Sequence, residues 1–495
     1  MKLILKNHTE EYAAREIIAA YIPRVKIEVS ENAENGEDCA VSEVTENNGV
    51  FEYRARLLLD GREYCGFCTA DAFSKTFVKK ALSAALSDAT GISLPWGLIT
   101  GIRPSKMVRE LDSEGKSREQ IERIFKEHYL CDSDKIRLAA DVAYREKSLI
   151  ATMPQNSVSL YIGIPFCPTR CLYCSFTSQS VEFSNKLTEP YMDALCKEMR
   201  ATAEIARQKD LKVDTVYIGG GTPTSLTEKQ LSRLLTELYT DFDLSSMREI
   251  TLEAGRPDTI NEEKLKIISD FGISRISINP QTMNQKTLDV IGRRHTPNDI
   301  VRTYETAVRM GFNHINTDLI AGLPGESAED FAYTLSEVGK LNPKSVTVHT
   351  MCVKRGSYLD KFYDMYTPSA AETVNEMLKN AAQSMAALGK KPYYMYRQKN
   401  MLGNLENVGY CDDGHECLYN VYIMEEVQSI LAVGAGASTK IINGDRIDRI
   451  FNVKEVSEYI KLSTAKSLTI SPSTGLENLS STAVFSVSSF LFGCV

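Results

Sequence analysis

Residues 161–174 read YIGIPFCPTRCLYC. The apolar run up to Ile164 reads as a buried strand, and Pro165 and Pro168 break regular structure just after it. Cys167, Cys171 and Cys174 therefore ride on a loop at a strand end, at i, i+4 and i+7. A structural zinc site takes four protein ligands, and so does an ordinary iron–sulfur cluster. Three thiolates without a fourth nearby leave one metal position open to a small molecule. The competing reading is structural zinc with a distant fourth ligand. A second pair, Cys65 and Cys68, reads as incidental.

Working outward, short apolar runs alternate with amphipathic stretches from Ser157 onward. The runs are SLYIGIP, TVYIGGG, EITLEAG, RISINPQ, HINTDLIAG and SVTVHTM. Stretches such as EKQLSRLLTELYTDF and NDIVRTYETAVRMG lie between them with helical period. Repeated β–α predicts a parallel sheet, here an α/β partial (β/α)6 barrel, with chemistry at the C-terminal ends of the strands. The expected division is an N-terminal α+β domain (1–150), the barrel (155–360), a C-terminal substrate or cap region (361–462) and a disordered tail (463–495).

In the N-terminal part, LILK, VKIEVS and VFEYRARLLL read as strands. DAFSKTFVKKALSAALSDATG reads as a helix capped by an Asp and stopped by Gly91. In the C-terminal part, AAETVNEMLKNAAQSMAALGK reads as a helix and PYYMYRQKNMLGNLENVGY as loop-rich.

The 495 residues are 43% hydrophobic and 25% charged, with a net charge of -8. That acidic balance argues against nucleic acid as a partner. No run of apolar residues is long enough to span a membrane, and the N-terminus lacks the pattern of a secretory signal. The expected compartment is cytoplasmic, with reduced thiols.

Further motifs fall where strands end. YIGGGTPTSL supplies Gly220, Gly221 and Thr222, where backbone can approach a ligand closely. TLEAGRPDT supplies Glu253, for which a solvated loop acid is the plainer reading. RISINPQTMNQKTLDVIGRRHT supplies Gln281, Arg293, Arg294 and His295. Paired arginines suit carboxylates, or simply a helix C-terminus. NTDLIAGLPGES supplies Asp318.

The CxxxCxxC spacing resembles the radical S-adenosylmethionine (SAM) superfamily. The ordered set of cysteine loop, GGGTPT, strand-end Glu, GRRH and DLIAGLPG resembles the anaerobic coproporphyrinogen III oxidase, or HemN-like, family. LPWGLITGIRPSK, YRQKNMLGNLENVGY and GAGAST resemble its HemZ-type branch, assigned as coproporphyrinogen dehydrogenase. The resemblance implies a [4Fe–4S] cluster on Cys167, Cys171 and Cys174, and one or two SAM molecules. It places Tyr173 near the adenine, Gly220, Gly221 and Thr222 at the SAM amino group, and Tyr161, Gly220 and Glu253 on the cluster-bound SAM. Gly221, Thr222, Gln281, Arg293 and Asp318 match positions lining a second SAM or substrate region. Gly163 stands where the family usually has His, and no Trp follows in a chaperone-like HNxxYW motif.

What the resemblance implies is an oxidoreductase of porphyrin and haem biosynthesis. A 5′-deoxyadenosyl radical removes hydrogen from a propionate of coproporphyrinogen III or a related tetrapyrrole. Carbon dioxide and one electron leave, and repetition gives protoporphyrinogen IX. The motifs identify neither the electron donor nor the acceptor. Arg293 and Arg294, then Arg355 and Arg397, are the expected partners of the substrate carboxylates. The alternative is a haem chaperone that binds and transfers haem without decarboxylation; a third reading is a radical SAM enzyme acting on RNA.

Overall fold

The computed structural model describes residues 1–465, apart from 35, 102, 177–178, 355, 363–365, 367–368, 399–400 and 445. Arg355 and the serine-rich tail beyond residue 465 therefore lie outside the described residues.

The N-terminal residues form a five-stranded sheet of β1 (Lys2–Lys6), β2 (Glu28–Val29), β3 (Cys39–Asn47), β4 (Val50–Leu59) and β5 (Arg62–Ala70). Its order is β2–β1–β3–β4–β5. Tyr53, Ala55 and Leu57 on β4 alternate with polar residues and pack with Ile17, Ile18, Leu82 and Leu86 from two helices. The helix Lys75–Thr90 is capped by the hydroxyl of Ser74, not by the expected Asp. Ser74 adopts the extended backbone an N-cap needs, and its oxygen accepts from Thr76 N. Gly91 ends that helix at φ +69°. VKIEVS shrinks to the two residues of β2, whereas β3 and β5, absent from the expectation, flank β4 as antiparallel partners. Cys65 on β5 is exposed and Cys68 is half-buried, with its thiol donating to Phe77 O.

The large sheet contains β6 (Ser157–Ile164), with β7 (Phe166–Cys167) and β8 (Gln179–Ser180) paired beside it as a separate ribbon. It continues through β9 (Lys212–Gly220), β10 (Glu249–Gly255), β11 (Arg275–Ile278), β12 (His314–Ala321) and β13 (Ser345–Thr350). After these come β14 (Lys391–Tyr396), β15 (Asn407–Cys411), β16 (Ile430–Val433), β17 (Ser438–Asn443) and β18 (Arg446–Phe451). The order is β14–β15–β13–β12–β11–β10–β9–β6–β16–β17–β18. The predicted strands are all present, and β6, β9, β10, β11, β12 and β13 run parallel as neighbours. Helices in the β–α connections carry buried leucines such as Leu231, Leu234 and Leu238 into the shared core. The segment expected to be loop-rich supplies β14 and β15; β15 pairs antiparallel with β13, and β14 pairs antiparallel with β15 at the sheet edge. Its aromatic YYMY run suits a pleated surface.

The parallel strands are two-faced. Leu252 and Ala254, Ile276 and Ile278, and Val346 and Val348 point into the apolar core. The residues between them, Thr251 and Glu253, Arg275 and Ser277, and Thr347 and His349, line a cavity.

Two apolar cores divide the N-terminal part. Residues from Leu3 to Leu86 pack among themselves, joined by Leu94 and Leu98. Trp96, Val108, Phe125, Ala139 and Val142 belong instead to the core of the large sheet. The helix Ser133–Ile150 packs against β14. Trp96 Nε1 and Lys135 Nζ both reach the buried carboxylate of Glu406, which precedes β15. No described helix is long and apolar enough to cross a membrane.

Candidate active site

A cavity of about 370 Å³ opens at the C-terminal ends of the parallel strands. It is lined by Cys167, Cys171, Cys174, Tyr173, Gly220, Gly221, Thr222, Glu253, Gln281, Arg293 and Asp318. Residues distant in sequence thus meet on one concave surface, the usual place for chemistry in this kind of fold.

The cysteine loop is fastened on two sides. Gly221 N donates to Ile164 O and Thr222 N to Phe166 O, both at 2.7 Å. A Cβ on Gly221 would lie 2.5 Å from Phe166 O, so only glycine permits this approach. On the other side, Leu172 N donates to Ile291 O and the Thr169 hydroxyl to Gly292 O. The glycine-rich segment and the GRRH turn therefore hold the loop between them. Thr222 Oγ1 lies 3.5 Å from Cys167 Sγ. Burial pushes the Cys174 thiol up to about 11.

Arg293 is buried, donates to Asn279 O at 2.6 Å and to the Tyr173 hydroxyl, and interacts with Cys171. Burial raises the Tyr173 phenol above its ordinary value. Gln281 sits at φ +66°, its N–H on Asp318 O and its carbonyl accepting from Ile320 N. Its side-chain oxygen is buried and unpaired among the described residues.

Two acids face the cavity from inside the sheet. Burial pushes Glu253 up to about 7, opposed by hydrogen bonds from Tyr217 and Gly220 N. Burial also acts upward on Asp318, but His349, Asn316 and Thr347 outweigh it and hold that carboxyl below its ordinary value. His349 Nε2 lies 3.8 Å from Asp318 Oδ2, and the Tyr396 hydroxyl lies 3.4 Å from His349 Nδ1.

Four residues that the motifs single out lie away from this cavity. Tyr161 does not line the cavity; its ring stacks behind on Tyr217 and Tyr419, with Tyr217 standing in front. Arg294 and His295 turn away into a neighbouring hollow lined also by Asp258, Asp299 and Arg302. Burial, with Arg293 and Arg256 beside it, pushes His295 down to about 4, so it is neutral there. Arg397 is buried under Trp96 and donates to the carbonyls of Ile99, Gly101 and Asn404. It is a structural tie, with no edge on the cavity.

The sequence reading also missed residues that do line the cavity, among them Arg256, Tyr217, His349, Lys354 and Tyr396. Alternation marks Tyr217 and His349, which lie on the same strand faces as Gly219 and Thr347. Lys354 lies in the loop after β13, past Met351, Cys352 and Val353. Nothing local marks Tyr396, because its position depends on an antiparallel partner.

The donor set fits the cluster the resemblance implies. The three thiols come from one loop and face one cavity, and among the described residues they do not converge on a single-ion position. Separate irons of a cluster need no such convergence.

The profile of the radical SAM superfamily matches residues 161–338. The chain is 43% identical over 375 residues to the oxygen-independent coproporphyrinogen-III oxidase-like protein HemZ of Bacillus subtilis, covering 75% of each. It is 32% identical over 314 residues to the heme chaperone HemW of the same organism, covering 62% of this chain and 76% of the relative. The structure of coproporphyrinogen III oxidase HemN from Escherichia coli matches with a TM-score of 0.50 at 24% identity. That match covers 66% of this chain and 72% of the other, and shows a shared fold. With the cysteine loop, the parallel sheet and these relatives in agreement, the chain belongs to the radical SAM superfamily and, within it, to the HemN-like family on its HemZ-type branch.

Proposed function

We propose that this protein catalyses the oxygen-independent oxidative decarboxylation of coproporphyrinogen III to protoporphyrinogen IX. The observation that carries the reading is the meeting of the three-cysteine loop, the glycine-rich segment and a polar, arginine-bearing wall on one cavity. One relative named as an oxygen-independent coproporphyrinogen-III oxidase-like protein and another named as an oxygen-independent coproporphyrinogen III oxidase support the choice of tetrapyrrole.

Cys167, Cys171 and Cys174 would hold a [4Fe–4S] cluster, and Gly220, Gly221, Thr222, Glu253, Gln281, Arg293 and Asp318 would hold SAM. When bound, cluster and SAM supply the abstraction of a hydrogen atom. The chain's own residues then bind and orient. Gly221 keeps the cysteine loop against the sheet. The charged Asp318 offers an acceptor to N–H donors of a ligand. Glu253, near neutrality, holds or yields a proton at the floor. Lys354, which lines the cavity and lies over the Phe176 ring, supplies the cation for a propionate.

The test is anaerobic reconstitution followed by reductant, SAM and coproporphyrinogen III. Vinyl product and 5′-deoxyadenosine are expected from the wild type and not from Cys171→Ala. Absence of both from the wild type overturns the reading.

A second reading is haem binding and transfer, favoured by the HemW relative and by His349, which offers an axial ligand in the cavity. Stoichiometric haem binding that is lost in His349→Ala, with no decarboxylation, would select it.

A further inference from the structure

Arg256 follows β10 directly and is 3% exposed. Its guanidinium is fully deployed. Nε donates to Asp258 Oδ1 at 3.0 Å and Nη2 to Asp258 Oδ2 at 2.7 Å, a two-point fork that fixes the plane of the group. The remaining nitrogen, Nη1, is thereby aimed at the cysteine loop. It donates to Thr169 Oγ1 at 3.0 Å, to Thr169 O at 3.3 Å and to Cys171 Sγ at 3.8 Å. Arg293 interacts with the same sulfur. Cys171 thus receives two buried guanidiniums, and the neutral His295 beside them adds no third cation.

Hydrogen bonds and positive charge at a ligating sulfur stabilise the more negative, reduced state of an iron–sulfur cluster and so raise its potential. Burial strengthens the effect, because little water screens it. We infer that Arg256, oriented by Asp258, is a positioning residue that ties the cysteine loop to the end of β10 and sets the reduction potential of the cluster through Cys171. A lysine at this position keeps the charge but cannot both engage Asp258 at two points and reach the loop. This inference rests on the cluster site proposed above.

The experiment uses the full chain, reconstituted anaerobically, as wild type, Arg256→Lys, Arg256→Met and Arg302→Met. Arg302 is a guanidinium of the neighbouring hollow and serves as control. Iron and sulfide per chain, thermal unfolding, and the midpoint potential from an electron paramagnetic resonance titration are measured. Either of two results is expected for the Arg256 variants: a midpoint more negative than the wild type, or a folded chain that loses its iron. The control should match the wild type. Normal iron with a wild-type midpoint in Arg256→Lys overturns the inference, as does an equal shift in Arg302→Met. If Arg256→Met does not fold, Arg256→Lys alone decides. A wild type that assembles no cluster, or a Cys171→Ala variant that assembles it normally, would instead overturn the cluster site itself.

Discussion

The indole nitrogen of Trp96 donates to Oε2 of Glu406 at 2.7 Å, joining residues 310 positions apart. Lys135 meets the other oxygen at 2.6 Å. All three groups are buried. Asn407, the next residue, lines the cavity, so this contact ties the N-terminal helices to the cavity wall. Trp96→Phe removes one hydrogen bond to a charged group and should cost about 1.5–3 kcal/mol. Glu406→Gln leaves the Lys135 ammonium buried without its counter-ion and should cost more, about 3–5 kcal/mol. Denaturant unfolding checks the order.

Gly221 and Gly163 should respond in opposite ways to a methyl group. At Gly221 the new carbon meets backbone atoms at 2.5 and 2.9 Å, which cannot yield without moving the cysteine loop. At Gly163 the nearest atoms are 3.4 Å away. Gly221→Ala should lower iron incorporation sharply, with about 1–3 kcal/mol of overpacking. Gly163→Ala should incorporate iron as the wild type does. Iron and sulfide analysis after reconstitution reads both.

Glu146 should make stability fall with rising pH. Burial pushes its carboxyl up to about 8, against the opposing pull of Arg109 and Ser105. The folded chain therefore holds a proton that the unfolded chain has released. The contribution is fully present below the ordinary value of 4.5 and is lost as pH climbs through about 8. Glu146→Gln should flatten that decline and raise the melting temperature at pH 9. Thermal unfolding across pH 5–9, about the range over which the group changes state, provides the comparison.

Lys354 and Arg294 separate the cavity from its neighbour. Lys354→Gln should weaken binding of a propionate-bearing tetrapyrrole about tenfold, the loss of one partly solvated charge contact. Arg294→Gln should leave that affinity unchanged, because Arg294 lines the other hollow. Anaerobic binding titrations of the two variants give the answer.

The parallel strands were legible because each is an apolar run at a β–α boundary, a purely local signal. Several candidate residues followed from them, since Cys167 and Gly220 end β7 and β9, and Glu253 and Asp318 lie on the C-terminal halves of β10 and β12. What escaped depends on facing direction or on distant partners. Arg293 and Arg294 are neighbours in the chain, yet only Arg293 turns toward the cysteines. Tyr396 reaches the cavity because β14 pairs with β15, which pairs with β13, and no local pattern specifies that register. Arg397 reads locally as a ligand for an anion, but its Nη1 and Nη2 donate to three backbone carbonyls.

The division of labour along each parallel strand also bears on how such a chain changes over generations. Residues such as Ile276 and Val348 satisfy the helices, whereas Ser277 and His349 satisfy whatever occupies the cavity. A replacement on the inner side alters recognition and leaves the outer packing untouched. New ligand preferences are therefore accessible by single steps that the scaffold tolerates, provided the glycine-rich segment and the cysteine loop keep their mutual fit.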